Sequence, residues 1–324
     1  MVKFTSIRAA VYGIAILWST LTHASAIPTH SKPKHQEQLD LRLISFNIRY
    51  AAKPSGNEKG WPDRRENLIT QVAFGTGSVD NAFVGMQEVL PEQLEDIITG
   101  LNEHPSSGGR DWTYIGVGRD DGKREGEFSP ILYRESAWEL LEFKTKWLSE
   151  TPDVPSFGWG ASNRRIVTIG VFKHRKSKKL LLALNTHLDH EVSAARLHGT
   201  ELILRLIDEY KKNDKYKGRI AGVTLTGDFN SEEDQEAYMA ISNSTVVFDP
   251  VKSFPDKYMY GNRKTFTGFD SDVGLTRIDY VFLGPGNSRR KEEWDVKSYA
   301  VLPNKFDDGI FFSDHRAVVA DGSI

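Results

Sequence analysis

Short apolar runs recur along the chain from Leu41 to Ala320, and stretches with helical periodicity separate several of them. Short runs bounded by turn residues indicate buried strands, whereas apolar residues three and four positions apart indicate amphipathic helices. No linker-like break divides this alternation. The pattern therefore predicts one α/β domain, with enough strands for at least two sheets.

The predicted elements follow from these two periodicities. Pro91 fits the first turn of a helix, where its missing N–H costs no hydrogen bond. The predicted helices are the segments 64–74, 91–101, 193–210 and 232–241. The predicted strands are the segments 41–48, 82–86, 112–117, 129–133, 138–143, 166–172, 180–185, 220–225, 277–283, 294–301 and 317–320.

The first residues have the three parts of a secretory signal. Lys3 and Arg8 supply a positive start, residues 9–17 are apolar, and Ala24-Ser25-Ala26 has the small-x-small pattern that signal peptidase accepts. The apolar run is too short to span a bilayer comfortably, because about 20 residues are needed. We therefore expect a secreted protein without stable membrane insertion; an uncleaved anchor is the alternative. The predicted organisation is a signal peptide at 1–26, a flexible leader at 27–40 and a folded domain at 41–324.

Charge and cysteine content exclude some classes of function. Loss of the two basic residues Lys3 and Arg8 with the signal changes the formal net charge from −2 to −4. A broad, non-specific grip on nucleic acid is therefore disfavoured, since it depends on neutralising phosphates, although a local basic groove stays possible. The chain contains no cysteine, which excludes thiol catalysis, disulfides and thiolate metal sites.

Polar residues suited to phosphate chemistry stand where several predicted strands end. The strand-end positions are Asn47, Glu88, His187, Asp228, Asn230, Asp314 and His315. Asp279 lies inside the apolar run 277–283, where an unpaired charge is costly. Carboxylate and amide oxygens suit Mg²⁺ or Mn²⁺, and histidine suits acid–base work and charge stabilisation.

Six motifs in this order resemble the endonuclease/exonuclease/phosphatase superfamily. They are Ser45-Phe46-Asn47-Ile48-Arg49, Gln87-Glu88-Val89, Thr186-His187-Leu188, Gly227-Asp228-Phe229-Asn230, Arg277-Ile278-Asp279-Tyr280 and Ser313-Asp314-His315. The superfamily includes deoxyribonucleases, apurinic endonucleases, neutral sphingomyelinases, inositol polyphosphate 5-phosphatases and deadenylases. The loop 147–153 resembles one in an extracytoplasmic branch distantly related to deadenylases. The resemblance implies a DNase I-like four-layer sandwich, in which two mixed β-sheets pack face to face with helices outside.

The resemblance also implies a Mg²⁺ (or Mn²⁺) site and a way of activating water. Glu88 would be the principal metal ligand, with Asn47 beside it and Asp314 helping. Asp228 would orient or deprotonate the attacking water, and Asn230 would hold that water or a phosphate oxygen.

Two histidines complete the implied catalytic set. His315 would stabilise charge developing on the phosphate, with Asp279 holding its imidazole. His187 would be the second family histidine, and Glu127 falls where its carboxylate partner lies in deoxyribonucleases.

Each motif also has a structural interpretation. The Gly227–Asn230 segment is typical of a turn, and Glu88 could cap a helix. Trp147, Phe157 and Trp159 could form a substrate platform or simply pack. Arg164 and Arg165 could clamp a phosphate or form solvated ion pairs.

The complete polar set predicts a metal-dependent phosphoester hydrolase, in which water attacks phosphorus in line with the leaving oxygen. A phosphodiesterase or nuclease is the first expectation. The alternatives are a phosphomonoesterase, a phospholipid or inositol-phosphate phosphatase, and a non-catalytic binding protein. The expected partner is a phosphorylated substrate (nucleic acid, nucleotide, lipid or inositol), and the chain is expected to be a monomer.

Overall fold

A computed structural model of the protein describes residues 38–107, 111–270, 274–285 and 294–324. The predicted signal peptide, 1–26, and residues 27–37 of the predicted leader lie outside these ranges. Among the described residues, no helix is both long and apolar enough to cross a membrane.

The described residues form four α-helices and twelve strands. The helices are α1 Trp61–Thr76, α2 Pro91–Glu103, α3 Ser193–Lys212 and α4 Glu236–Ser242. The strands are β1 Asp40–Asn47, β2 Ala82–Gln87, β3 Trp112–Ile115, β4 Ile131–Arg134, β5 Trp138–Trp147, β6 Ile166–His174, β7 Leu180–His187, β8 Ile220–Asp228, β9 Tyr260–Gly261, β10 Asp279–Gly284, β11 Asp295–Val301 and β12 Val318–Ser323. Three 3₁₀ helices lie at Pro105–Ser107, Pro250–Ser253 and Asp256–Tyr258.

The strands form two mixed sheets. The seven-stranded sheet has the order β3-β4-β2-β1-β12-β11-β9, and the five-stranded sheet has the order β10-β8-β7-β6-β5. In the first sheet β1 is parallel to β2 and antiparallel to β12. In the second, β8 is parallel to β7 and antiparallel to β10.

Three apolar layers hold four layers of structure together. Between the sheets, Leu43 and Phe83 of one pack with Leu181, Ala183 and Val281 of the other. On the outer faces, α1 and α2 cover the seven-stranded sheet, whereas α3 and α4 cover the five-stranded sheet. Burying each large apolar side chain contributes roughly 1.5–3 kcal/mol. The predicted four-layer sandwich is therefore confirmed.

Gly85 allows the sheets to approach closely below the polar strand ends. A Cβ atom built there would lie 2.0 Å from Thr226 Oγ1 and 2.7 Å from Asn185 Oδ1. These two side chains are hydrogen-bonded to each other at 2.9 Å. Only glycine leaves room for this buried polar layer between the sheets.

Most predicted elements are present, and their ends differ for local reasons. Strand β5 runs on to Trp147, and the short strand β9 was not predicted. Helix α4 begins at Glu236, not at 232, because Glu232 and Gln235 form a turn closed by two mutual hydrogen bonds of 2.9 and 3.0 Å.

Candidate active site

Strand register brings the polar strand ends to one edge of the sandwich. The parallel pairing of β7 and β8 sets His187 beside Asp228, and the parallel pairing of β1 and β2 ends at Asn47, next to Glu88. Asp279 was expected inside its strand but is the first residue of β10. Because β10 runs antiparallel to β8, its start pairs with Asp228.

An open cavity of about 780 Å³ lies at this edge. Most of the predicted site residues line it, namely Glu88, Glu127, Arg165, His187, Asp228, Asn230, Asp314 and His315. Sequence reasoning did not single out several other lining residues, among them Arg49, Tyr50, Arg119, Asn163, Phe266 and Thr276. Asn47 and Asp279 are fully buried behind the lining.

His315 is held by Asp279 across the two sheets. Its Nδ1 atom lies 2.8 Å from Asp279 Oδ2, and its Nε2 atom lies 3.7 Å from Asp228 Oδ2. Burial opposes the charged imidazole, but the charges of Asp279 and Asp228 outweigh it and raise the pKa of His315 well above its usual value. The protonated ring can stabilise negative charge that develops in the cavity.

Asp228 is buried between donors and acidic neighbours. Its carboxylate accepts hydrogen bonds from Asn47 Nδ2 and from the backbone N–H of Asn230, both at 2.9 Å. Burial, followed by the nearby charge of Asp279, raises the pKa of Asp228 to about 7. A carboxylate whose pKa lies near neutral pH is suited to accept a proton from water.

Glu88 and Asp314 form the acidic end of the cavity. Burial and the negative charge of Glu88 raise the pKa of Asp314, although His315 and Arg49 oppose this. Two hard oxygen ligands whose negative charge is incompletely offset fit a divalent cation. When bound, such a cation would neutralise charge on phosphate oxygens.

Asn47 is oriented differently from the predicted ligand. Its Nδ2 atom donates to Glu88 Oε1 at 3.0 Å as well as to Asp228, while its Oδ1 atom accepts the N–H of Arg49 at 3.0 Å. As placed, Asn47 therefore aligns the two carboxylates. Direct ligation, as predicted, would require its amide to rotate.

Asp228, Asp279 and His315 also bring one ligand atom each within 4.8 Å of one another, close enough to surround a cation. The hydrogen bond with His315 Nδ1 occupies Asp279 Oδ2, whereas the buried Oδ1 atom has no hydrogen-bond partner among the described residues. Hard cations prefer oxygen ligands, so Glu88 and Asp314 suit the cation better.

His187 is a neutral imidazole on the other side of Asp228. Burial, followed by the charges of Arg165 and Arg119, lowers its pKa well below the usual value. Its Nε2 atom lies 3.0 Å from Asn230 Nδ2, which leaves the proton on Nδ1. Among the described residues, that Nδ1 atom has no hydrogen-bond partner, and it lies 3.8 Å from Glu127 Oε2, the carboxylate expected to pair with it.

We use the name basic wall for Arg119, Asn163, Arg165 and His187. Arg119 donates to Glu127 at 2.8 Å and to Asn163 at 3.2 Å, while Arg165 contacts His190 at 3.0 Å. Four buried nitrogens of the wall have no hydrogen-bond partner among the described residues: Arg119 Nε, Arg165 Nε, Arg165 Nη1 and His187 Nδ1. Two of them lie near a carboxylate, since Arg165 Nε is 3.6 Å from Asp189 Oδ2 and His187 Nδ1 is 3.8 Å from Glu127 Oε2. The side chains of the wall carry hydrogen-bond donors and line the cavity, so the wall suits an oxygen-rich ligand.

Trp147 lies outside the cavity, contrary to its predicted role in substrate binding. It is 6% exposed, and its Nε1 donates to the carbonyl of Arg119 at 2.7 Å. Its ring also packs under Gly122, where a Cβ would lie 3.0 Å away. Trp147 therefore supports the glycine-rich turn 118–126. That turn contains Arg119, so its glycines were the sequence signal that could have pointed to this cavity residue. Of the two candidate clamp residues, Arg165 lines the cavity, whereas Arg164 pairs with Asp120 and covers Phe157.

Backbone strain is concentrated at the cavity. Five non-glycine residues among those described have positive φ, and three of them line the cavity: Arg49 (59°), Glu88 (58°) and Asn230 (46°). Such conformations persist only where the surroundings enforce them, and they cluster at functional sites.

Comparison with known proteins agrees with the fold. No family model matches the chain. An endonuclease/exonuclease/phosphatase from Bacteroides vulgatus is 33% identical with a TM-score of 0.73, and the match covers 88% of this chain and 98% of that one. A mannosyl-6-phosphatase from Bacteroides thetaiotaomicron is 31% identical with a TM-score of 0.73, covering 87% and 99%. An uncharacterised protein of Acanthamoeba polyphaga mimivirus is 35% identical over 188 residues, and the match spans 54% of this chain and 62% of the viral one.

The four-layer sandwich and its polar cavity define a metal-dependent hydrolase of phosphoester bonds. At this identity and coverage, the chain belongs to the endonuclease/exonuclease/phosphatase family.

Proposed function

We propose that the protein is a secreted, Mg²⁺-dependent phosphomonoesterase that releases phosphate from a small, hydroxyl-rich alcohol such as a sugar. The sequence favoured a phosphodiesterase or nuclease, with a phosphomonoesterase as the alternative. The basic wall, whose donor-bearing side chains line the cavity, is the observation that favours the alternative.

Hydroxyl oxygens are acceptors for the donors that this wall presents to the cavity, whereas an apolar alcohol would leave those donors without an acceptor. A site built to hydrogen-bond hydroxyl groups discriminates strongly against analogues that lack them. Apart from histidines, the aromatic lining of the cavity among the described residues is limited to Tyr50 and Phe266. Trp147 packs elsewhere, so a stacking platform for nucleic-acid bases is poorly developed.

The similarity to a mannosyl-6-phosphatase supports the same substrate class. The predicted signal peptide supports secretion, and because the chain has no cysteine, its stability outside the cell would depend on its core. Mg²⁺ is the proposed cation because Glu88 and Asp314 offer hard oxygen ligands.

The side chains divide the reaction between them. Asp228 takes a proton from the attacking water as its oxygen joins phosphorus, and Asn230 holds that water. Protonated His315 offsets the charge that builds up on the phosphate. The basic wall orients the alcohol. When the bond between phosphorus and the ester oxygen breaks, the alcohol keeps that oxygen and takes a proton from bulk water.

Hydrolysis of a substrate panel tests this function. We expect phosphate release from mannose 6-phosphate and glucose 6-phosphate with Mg²⁺, loss of activity in EDTA, and far slower cleavage of single-stranded DNA, RNA and sphingomyelin. Glu88→Gln should abolish the Mg²⁺ response while the protein stays folded. Preferential cleavage of any diester, or activity that survives exhaustive chelation, would refute the proposal. N-terminal sequencing of secreted protein should begin at Ile27.

A further inference from the structure

Thr265 connects the two chain segments that carry the His315–Asp279 pair. Its Oγ1 atom accepts the backbone N–H groups of Ile278 at 3.0 Å and Asp279 at 3.1 Å. Its carbonyl oxygen accepts the N–H of Arg316 at 2.7 Å. The residue is completely buried, so water does not compete for these hydrogen bonds.

The two residues after Thr265 reinforce the connection. The ring of Phe266 lies 5.0 Å from the His315 ring. Thr267 donates to the carbonyl of Asp314 through its N–H at 2.8 Å and through Oγ1 at 3.1 Å. Three consecutive residues therefore contact the chain around His315, and the first of them also holds the start of β10.

The His315–Asp279 hydrogen bond joins residues that belong to different sheets. Asp279 begins β10 in the five-stranded sheet, whereas His315 precedes β12 in the seven-stranded sheet. Hydrogen bonds from Asn47 to Asp228 and from the N–H of Gly227 to Ser45 also cross between the sheets. Thr265 differs from these groups because it bonds directly to the start of β10 and to the residue after His315.

We propose that Thr265 is a positioning residue for catalysis, which sets the His315–Asp279 geometry through one side-chain oxygen and one carbonyl. Active sites require their groups within about 0.5 Å of the productive geometry. A misplacement of about 1 Å can cost roughly 10²-fold in rate. Thr265 was not singled out from the sequence, because its role depends on contacts between segments that are distant along the chain.

Paired substitutions test this role. Thr265→Val keeps the shape but removes the acceptor, and we expect kcat to fall about 10- to 100-fold with KM changed less than about 3-fold. Thr265→Ser retains the oxygen and should keep kcat within about 3-fold of the unmodified enzyme. Thr168→Val is the control for a buried threonine, because Thr168 lies in β6 and its Oγ1 has no hydrogen-bond partner in the part of the chain that the structure describes. The kcat of this variant should not change.

A double-mutant cycle separates positioning from general stability. If Thr265 acts through the pair, Thr265→Val should add little to the loss caused by Asp279→Asn, because residues that act as a unit are non-additive. Losses that multiply would overturn the proposal, as would a Thr265→Val enzyme with near-normal kcat or a Thr265→Ser enzyme that is equally impaired.

Thr265→Ala is used in the same cycle if the valine variant does not fold, since alanine leaves space for water to reach the freed N–H groups. The inference rests on the proposed role of His315, and the two can fail separately. Near-normal turnover in His315→Asn would refute the role of His315. Normal turnover in the Thr265 variants of an enzyme that His315→Asn inactivates would refute Thr265 alone.

Discussion

The cavity and a charged cluster on strand β5 shift the pKa values of their carboxylates in opposite directions. In the cavity, burial and like charges raise the pKa values of Asp228, Asp314 and Glu127. On β5, burial also opposes ionisation of Glu142, but hydrogen bonds from Tyr216 and two lysines outweigh it and lower its pKa to about 2.

The difference lies in how completely each carboxylate is paired. Glu142 accepts hydrogen bonds from Tyr216 at 2.7 Å, Tyr210 at 3.2 Å and Lys215 at 3.1 Å, which lie in the last turn of α3 and in the turn that follows it. Cavity carboxylates instead face one another, and one of them, Glu88, lies on a strained backbone. They therefore hold incompletely offset negative charge that a cation can use, at a cost in stability. Cavity substitutions should mainly lower kcat, whereas Glu142 substitutions should change only the free energy of unfolding.

The largest expected effect is the loss of the His315 charge. Asparagine can still donate to Asp279 but cannot carry a proton, so His315→Asn removes the charge and spares the hydrogen bond. We expect kcat to fall roughly 10²–10³-fold, with little change in the melting temperature. Steady-state kinetics and calorimetry check this together, and a variant that loses stability but not turnover would reverse the comparison.

The next effect concerns the pH dependence of folding in EDTA. Between the unfolded pKa of about 3.9 and the folded pKa of about 7, the unfolded state has released the proton of Asp228 while the folded state retains it. The contribution of Asp228 to the stability of the metal-free protein should therefore fall across this range as the pH rises. Asp228→Asn lacks this dependence, so its stability relative to the parent should rise between pH 4 and pH 7, by an amount on the order of a few kcal/mol.

Urea unfolding of both proteins at pH 4.5, 6 and 8 measures that difference. A constant offset between them is expected from changed hydrogen bonds to Asn47 and Asn230, and it does not affect the slope. Parallel pH profiles would mean that Asp228 is not destabilised by burial in the folded state.

Strand ends could be predicted from the sequence, whereas irregular segments could not. Strand ends are marked by local periodicity, and parallel register then brings residues such as Asn47, Glu88 and Asp228 to one edge. Arg119 and Thr265 lie in irregular segments, whose positions depend on distant contacts. The Arg119 turn rests on Trp147, and the aromatic pattern around Trp147 did not distinguish packing from substrate binding.

The smallest effect is expected at Glu142, where the pairing is complete but partly solvent-accessible. Glu142→Gln keeps the side-chain size and the contacts to both tyrosines, and it removes the attraction to Lys144 and Lys215. These lysines are 53% and 56% exposed. Solvent therefore screens the interaction, and the loss of unfolding free energy at pH 7 should be only about 0.5–1 kcal/mol.

This effect should also depend on pH. Because the pKa of Glu142 is lowered on folding, its contribution to stability is present above the unfolded pKa of about 4.3 and is lost as the pH falls towards 2. The stability difference should therefore shrink in acid, while kcat and KM at pH 7 stay unchanged. Urea unfolding at pH 7 and pH 2.5, with kinetics on the same samples, checks both points. A lower kcat in Glu142→Gln would show that the β5 cluster and the cavity are coupled. It would contradict the conclusion that Glu142 contributes to stability alone.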